Sequence, residues 1–85
     1  MTELTLFYFP ECPFCQIVLD TISELGIEDK IIFKNTRTSR EDYSFLMNTT
    51  GRTTVPCLFI DDKPMHESRD ICLWLQENKD AIKKI

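Results

Sequence analysis

The sequence predicts an α/β fold, a four-stranded mixed sheet flanked by helices in the order β-α-β-α-β-β-α. Three observations carry that prediction. Two short apolar runs, Leu4 to Phe9 and Ile31 to Phe33, bracket a stretch whose apolar residues recur every three or four positions. A further helix-period stretch follows the second run. After it, two short strand-like runs meet at Asp61-Asp62, and the chain closes with helical periodicity again.

Leu4-Thr5-Leu6-Phe7-Tyr8-Phe9 is aromatic and apolar on both faces, as in a central strand covered on both sides, and Pro10 ends it by removing a ladder donor. From Pro13, the residues Phe14, Ile17, Val18, Ile22 and Leu25 form the apolar stripe of an amphipathic helix that Gly26 is suited to end. Ile31-Ile32-Phe33 is the next strand. A helix between two such strands makes a right-handed βαβ unit, so these strands run parallel.

Thr38-Ser39-Arg40-Glu41 carries a capping-box pattern ahead of a second helix with Tyr43, Leu46 and Met47 as its buried face, and Gly51 closes it. Val55 through Ile60 is the third strand, Asp61-Asp62 a tight turn, and Lys63-Pro64-Met65 an edge strand where proline is tolerated. Ser68 caps a last helix through about Asn78, with Ile71, Trp74 and Leu75 toward the core, and Lys79 to Ile85 add a frayed turn.

A chain of 85 residues makes one domain, 1–85, with room for one sheet and a layer of helices. Its 42% hydrophobic and 28% charged content is that of an ordinary globular protein, which excludes disorder. A net charge of −4 with scattered Lys and Arg argues against a nucleic-acid partner, which would call for a basic patch. No apolar run nears the ~20 residues of a membrane span and no cationic leader is visible, so a cytoplasmic, membrane-free monomer is expected, its four cysteines reduced at rest.

Cys12-Pro13-Phe14-Cys15 stands where the first strand gives way to the first helix. If the helix begins near Cys12, unpaired backbone N–H groups and the positive end of the helix dipole lie beside the first sulfur, and both favour the nucleophilic thiolate. Pro13 suits the first turn, where a missing N–H costs nothing. Cys15 shares a helix face with Cys12 within bridging reach. A four-residue disulfide ring adds only about 2 kcal/mol by loop entropy, so such a bond is made to form and break. Half of a zinc site is the other reading of this spacing, but Cys57, Cys72 and His66 form no second close pair, and no metal is expected.

With that element order, the chain resembles the glutaredoxins of the thioredoxin-like superfamily over nearly its whole length. The matching residues are Cys12-Pro13-Phe14-Cys15, then Gly51-Arg52-Thr53-Thr54-Val55-Pro56, then a polar turn opening the last helix. Composition alone makes Pro56 trans, since about 5 to 6% of X–Pro bonds are cis. The resemblance implies a cis Pro56 facing Cys12 and Cys15, with Thr54, Val55 and Pro56 binding glutathione and the Val55 backbone pairing with its cysteine residue.

Glu67-Ser68 departs from the two glycines and acidic pair usual in glutaredoxins and is similar to the N-terminal domain of glutathione transferases. It implies that Ser68 meets the γ-glutamyl carboxylate at a helix N-terminus and Glu67 the adjacent ammonium. The plain alternative is an N-cap serine beside a solvated glutamate. Phe9 stands where many glutaredoxins carry lysine, which leaves more of the charge stabilisation at Cys12 to the helix dipole.

Arg37, Arg40 and Arg52 are candidates for the glycyl carboxylate, though each reads first as a surface charge. Cys57 and Cys72 read as small buried hydrophobes and Trp74 as core; His66 is a candidate to tune the glutathione site, though a lone histidine at a hairpin end reads first as exposed and idle.

The activity so implied is a glutathione-dependent thiol–disulfide oxidoreductase, with glutathione as co-substrate and glutathionylated or disulfide-bonded proteins as partners. The alternatives are a free-standing transferase-like domain that binds glutathione without dithiol exchange, and an iron–sulfur carrier, which Cys15 disfavours.

Overall fold

A computed structural model of the chain, describing residues 2–85, contains one sheet of order β2-β1-β3-β4. Its strands are β1 (Leu4–Tyr8), β2 (Ile31–Asn35), β3 (Cys57–Ile60) and β4 (Lys63–Met65). Around it lie α1 (Pro13–Leu25), α2 (Arg40–Thr50), α3 (Ser68–Glu77) and a short α4 (Lys79–Lys83). β1 pairs parallel to β2 and antiparallel to β3, and β4 extends the antiparallel side. The expected α/β order is therefore present, a thioredoxin-like mixed sheet, with the tail forming a helix that buries Ile82.

The period of two in β1 and β3 divides the core between the two faces of the sheet. Leu4, Leu6 and Leu58 pack with Val18 and Ile22 of α1 and Ile71 and Leu75 of α3. Phe7, Cys57 and Phe59 face the other way, under Leu46 of α2. There the Phe7 and Phe59 rings meet edge-on at 5.4 Å, and Phe45 stacks on Phe7 at 5.6 Å. Among the described residues no helix is long and apolar enough to cross a membrane.

Two helices bury a narrower line than their apolar stripes suggest. In α1 the buried residues are Cys15, Val18, Thr21 and Ile22, whereas Phe14 and Ile17 are 61% and 50% exposed. Val18 and Ile22 belong to both the expected and the buried sets, so the buried line is displaced by only roughly 35° from the centre of the expected stripe. Its contact with α3, where the Thr21 hydroxyl donates to the Cys72 sulfur at 3.3 Å, accompanies that displacement. In α2 only Leu46 is buried, and Tyr43 and Met47 are exposed. The helix meets the sheet along one line, already filled by the phenylalanines.

The element ends also move by a residue or two. β3 begins at Cys57 rather than Val55, because Pro56 has no N–H to give the ladder. α2 is capped by Ser39, not Thr38; the Ser39 hydroxyl accepts from the Asp42 N–H at 3.2 Å. Glu67 is the N-cap of α3 and Ser68 its first helical residue, so Ser68 is not the cap. Gly26 and Gly51 end α1 and α2 in the left-handed conformation that glycine adopts freely.

Candidate functional site

Because β1 leads directly into α1, the N-terminus of that helix sits at the C-terminal end of a central strand. Cys12 is the N-cap and Pro13 the first helical residue. The loop before β3 approaches from the neighbouring strand, its Val55–Pro56 peptide cis, and the Cys12 thiol contacts the Val55 carbonyl oxygen at 4.0 Å. The two cysteines remain thiols in this structure.

Their environments differ. Cys12 is partly exposed, whereas Cys15 is fully buried. Burial pushes the Cys15 thiol up to about 12, opposed by the Phe9 backbone N–H and reinforced by the neighbouring Cys12 sulfur. Cys15 therefore keeps its proton, and the accessible sulfur is the one able to attack.

Thr54, Val55, Pro56, Glu67 and Ser68, nominated from the sequence, line one cavity of about 200 Å3. Phe14 and Arg52 form part of the same wall. This volume is below the roughly 300–1,000 Å3 of an enclosing ligand site, so an occupant lies in a groove with one side in water.

The helix ends explain what the groove can hold. α2 satisfies its own N-terminus through Ser39, but neither Cys12 on α1 nor Glu67 on α3 makes a side-chain cap bond. The first-turn N–H groups at those two ends stay free to meet a ligand, each end carrying about half a positive charge. One open end carries the Cys12 sulfur and the other lies at the groove wall, with the cis Val55–Pro56 peptide lining the same groove.

Not every sequence candidate joins this site. Arg52 lines the groove. Arg37 instead lies over the Phe9 ring, 4.1 Å from its centroid, and its Nη1 is 3.6 Å from the Glu11 carboxylate. Nothing in the sequence pattern flagged that stack, which brings a cation to the loop position held by Phe9. Arg40 is at the start of α2 and outside the groove lining.

Cys57 is wholly buried, its thiol pushed up to about 11 by burial against the counteracting charge of Arg52, and Cys72 is a buried packing residue. His66, expected to be exposed and idle, is a partly buried member of the groove wall.

A larger cavity, about 330 Å3, lies on the α2 side of the sheet among Thr5, Phe7, Lys34, Asp42, Phe45 and Phe59 and holds no nominated residue. Cys12 and Cys15 are not themselves in the lining of the smaller groove, but Val55 in its wall contacts the Cys12 thiol, so the smaller groove is the candidate site. Among the described residues no cluster of three or more His, Cys, Asp or Glu side chains is arranged to hold a metal.

Residues 11–78 match the family model of the glutathione S-transferase N-terminal domain. The chain has no match among curated proteins. Among solved structures it is similar to glutathione transferase Omega 3C from Trametes versicolor, with 21% identity, 88% of this chain and 33% of that one covered, and a TM-score of 0.73. A glutathione transferase homolog from Drosophila mojavensis, solved with bound glutathione, gives 18%, 93%, 36% and 0.76 in the same order. A wheat glutaredoxin gives 27%, 94%, 77% and 0.67. The chain thus spans about a third of the transferases it matches and most of the glutaredoxin.

Proposed function

The chain belongs to the family of glutathione S-transferase N-terminal domains, and from that footing we propose that it is a glutathione-dependent thiol–disulfide oxidoreductase working through Cys12. The observation that carries the reading is an accessible thiol in contact with the Val55 backbone beside a groove that Val55 and the uncapped N-terminus of α3 help to line. Glutathione offers the matching groups in order: a sulfur, an amide backbone and a zwitterionic γ-glutamyl end.

In the proposed reaction the Cys12 thiolate attacks the glutathione sulfur of a protein–glutathione mixed disulfide. A Cys12–glutathione disulfide forms and the protein thiolate leaves. A second glutathione thiolate then attacks the glutathione sulfur bound to Cys12, releasing oxidised glutathione and restoring the thiolate. Val55 pairs with the tripeptide backbone, Thr54 and Pro56 shape its seat, and Ser68 and Glu67 meet the γ-glutamyl carboxylate and ammonium. Attack by Cys12 on a protein disulfide, resolved by Cys15, is the second route. The high Cys15 value favours the first, because a buried protonated thiol resolves slowly. Four free cysteines fit a reducing compartment, the cytoplasm.

The test is turnover of a glutathionylated peptide by glutathione. Cys12→Ser is expected to abolish it and Cys15→Ser to leave it intact; equal activity of Cys12→Ser and the unaltered chain would rule the mechanism out. A second reading, a free-standing transferase-like domain that binds glutathione without dithiol exchange, has its own support in the match to about a third of the transferases. Conjugation of a model electrophile without disulfide exchange would favour that domain.

A further inference from the structure

His66 follows β4, immediately before the Glu67 cap of α3, and forms part of the groove wall with Arg52, Thr54 and Ser68. Its Nδ1 is shielded from solvent and has no hydrogen-bond partner among the described residues. Imidazole nitrogens cut off from water are normally paired, so one that is not, on the wall of a ligand groove, marks a bond made when the groove is filled.

The charges acting on the ring come from two elements. Burial and Arg52, on the loop before β3, both oppose a positive ring, and Glu67 favours one, leaving His66 below its ordinary value. The open N-terminus of α3 opposes it as well, and Phe14 of α1 adds no charge.

We propose that His66 is a positioning residue of the groove that takes up a proton from solvent as an anionic tripeptide docks, its ring N–H then donating to a ligand oxygen. The inference rests on the glutathione reading above. Glutathione carries two carboxylates and one ammonium at neutral pH. A carboxylate beside Arg52 offsets the guanidinium that opposes the ring's charge, and one at the α3 N-terminus offsets the dipole. Rotation about the soft outer torsion of the imidazole turns Nδ1 from the protein interior toward the groove. Binding and protonation are then linked, so each favours the other.

The measurement is glutathione binding to the Cys12→Ser chain between pH 6 and 8, by titration calorimetry in two buffers of different ionisation heat. That background removes thiol titration and covalent exchange at Cys12. Kd is expected to fall by about threefold or more from pH 8 to 6, below the ceiling of about tenfold per pH unit for one proton, with buffer-dependent heat reporting proton uptake. Cys12→Ser/His66→Asn, which keeps a donor near the Nδ1 position and cannot titrate, is expected to bind with no such slope.

The chain has a single histidine, so its ring proton resonance is unambiguous and follows His66 directly even where the Asn variant fails to fold. Its titration midpoint is expected to rise on adding glutathione. An unchanged or lowered midpoint, or the same slope in the Asn variant, overturns the proposal while leaving glutathione binding intact. Absence of binding at every pH overturns the glutathione reading itself, and this inference with it.

Discussion

Iodoacetamide at pH 7.5 is expected to modify the native chain once, at Cys12, and to leave Cys15 untouched. The two thiols are three residues apart on one helix end, so a difference in reactivity must come from environment. A thiol at about 12 rather than the ordinary 9.0 holds about a thousandfold less thiolate at neutral pH. Since only the thiolate reacts, and Cys15 is also closed to solvent, its alkylation is slowed by at least about that factor. Peptide mass spectrometry against time gives both rates in one experiment. In denaturant the four cysteines are expected to label at similar rates. Labelling of native Cys15 within about tenfold of its denatured rate would refute the burial argument and with it the preference for the route that bypasses Cys15.

Alkaline pH tests the same burial through stability. Cys15 and Cys57 are raised to about 12 and 11, so the unfolded chain loses those protons first; stability is intact below pH 9 and declines as pH climbs toward those values. A falling urea midpoint between pH 9 and 11, part of it removed by Cys57→Ala, checks this, the Cys57 share being at most about 3 kcal/mol. Leu6→Ala, at a fully buried site facing α1 and α3, is expected to cost about 2–5 kcal/mol in urea denaturation, whereas Phe14→Ala at an exposed site stays within about 0.5 kcal/mol. Ser39→Ala removes the α2 cap and is expected to cost about 1 kcal/mol, read as a lower melting temperature. Ser68→Ala leaves every observed cap bond in place, so a weaker Kd for glutathione with an unmoved melting temperature is expected.

The legibility of this chain follows the range of the forces involved. The β-α-β opening, the Gly26 and Gly51 stops and the thiol pair at a helix N-terminus are all written within about a dozen neighbouring residues, where periodicity and capping act. The groove residues Thr54 to Pro56 and Glu67-Ser68 came to light through their likeness to glutathione-binding families, and no local pattern placed them opposite Cys12. Phe14, Ile17, Tyr43 and Met47 were misjudged because an apolar stripe says that a helix will bury a side and not which line along it meets the sheet.

Taken alone, the sequence determined the order of elements, their approximate ends and the placing of a thiol pair at a helix N-terminus, because each rests on bonds and side-chain spacings within a turn or two of the chain. Tertiary structure alone decided that α1 turns Cys15 inward and Cys12 outward, that Arg37 settles on Phe9, and that His66 joins Arg52 and Glu67 in the groove wall. Those outcomes depend on packing between segments tens of residues apart, where volume and desolvation select one arrangement among several that local preferences allow equally.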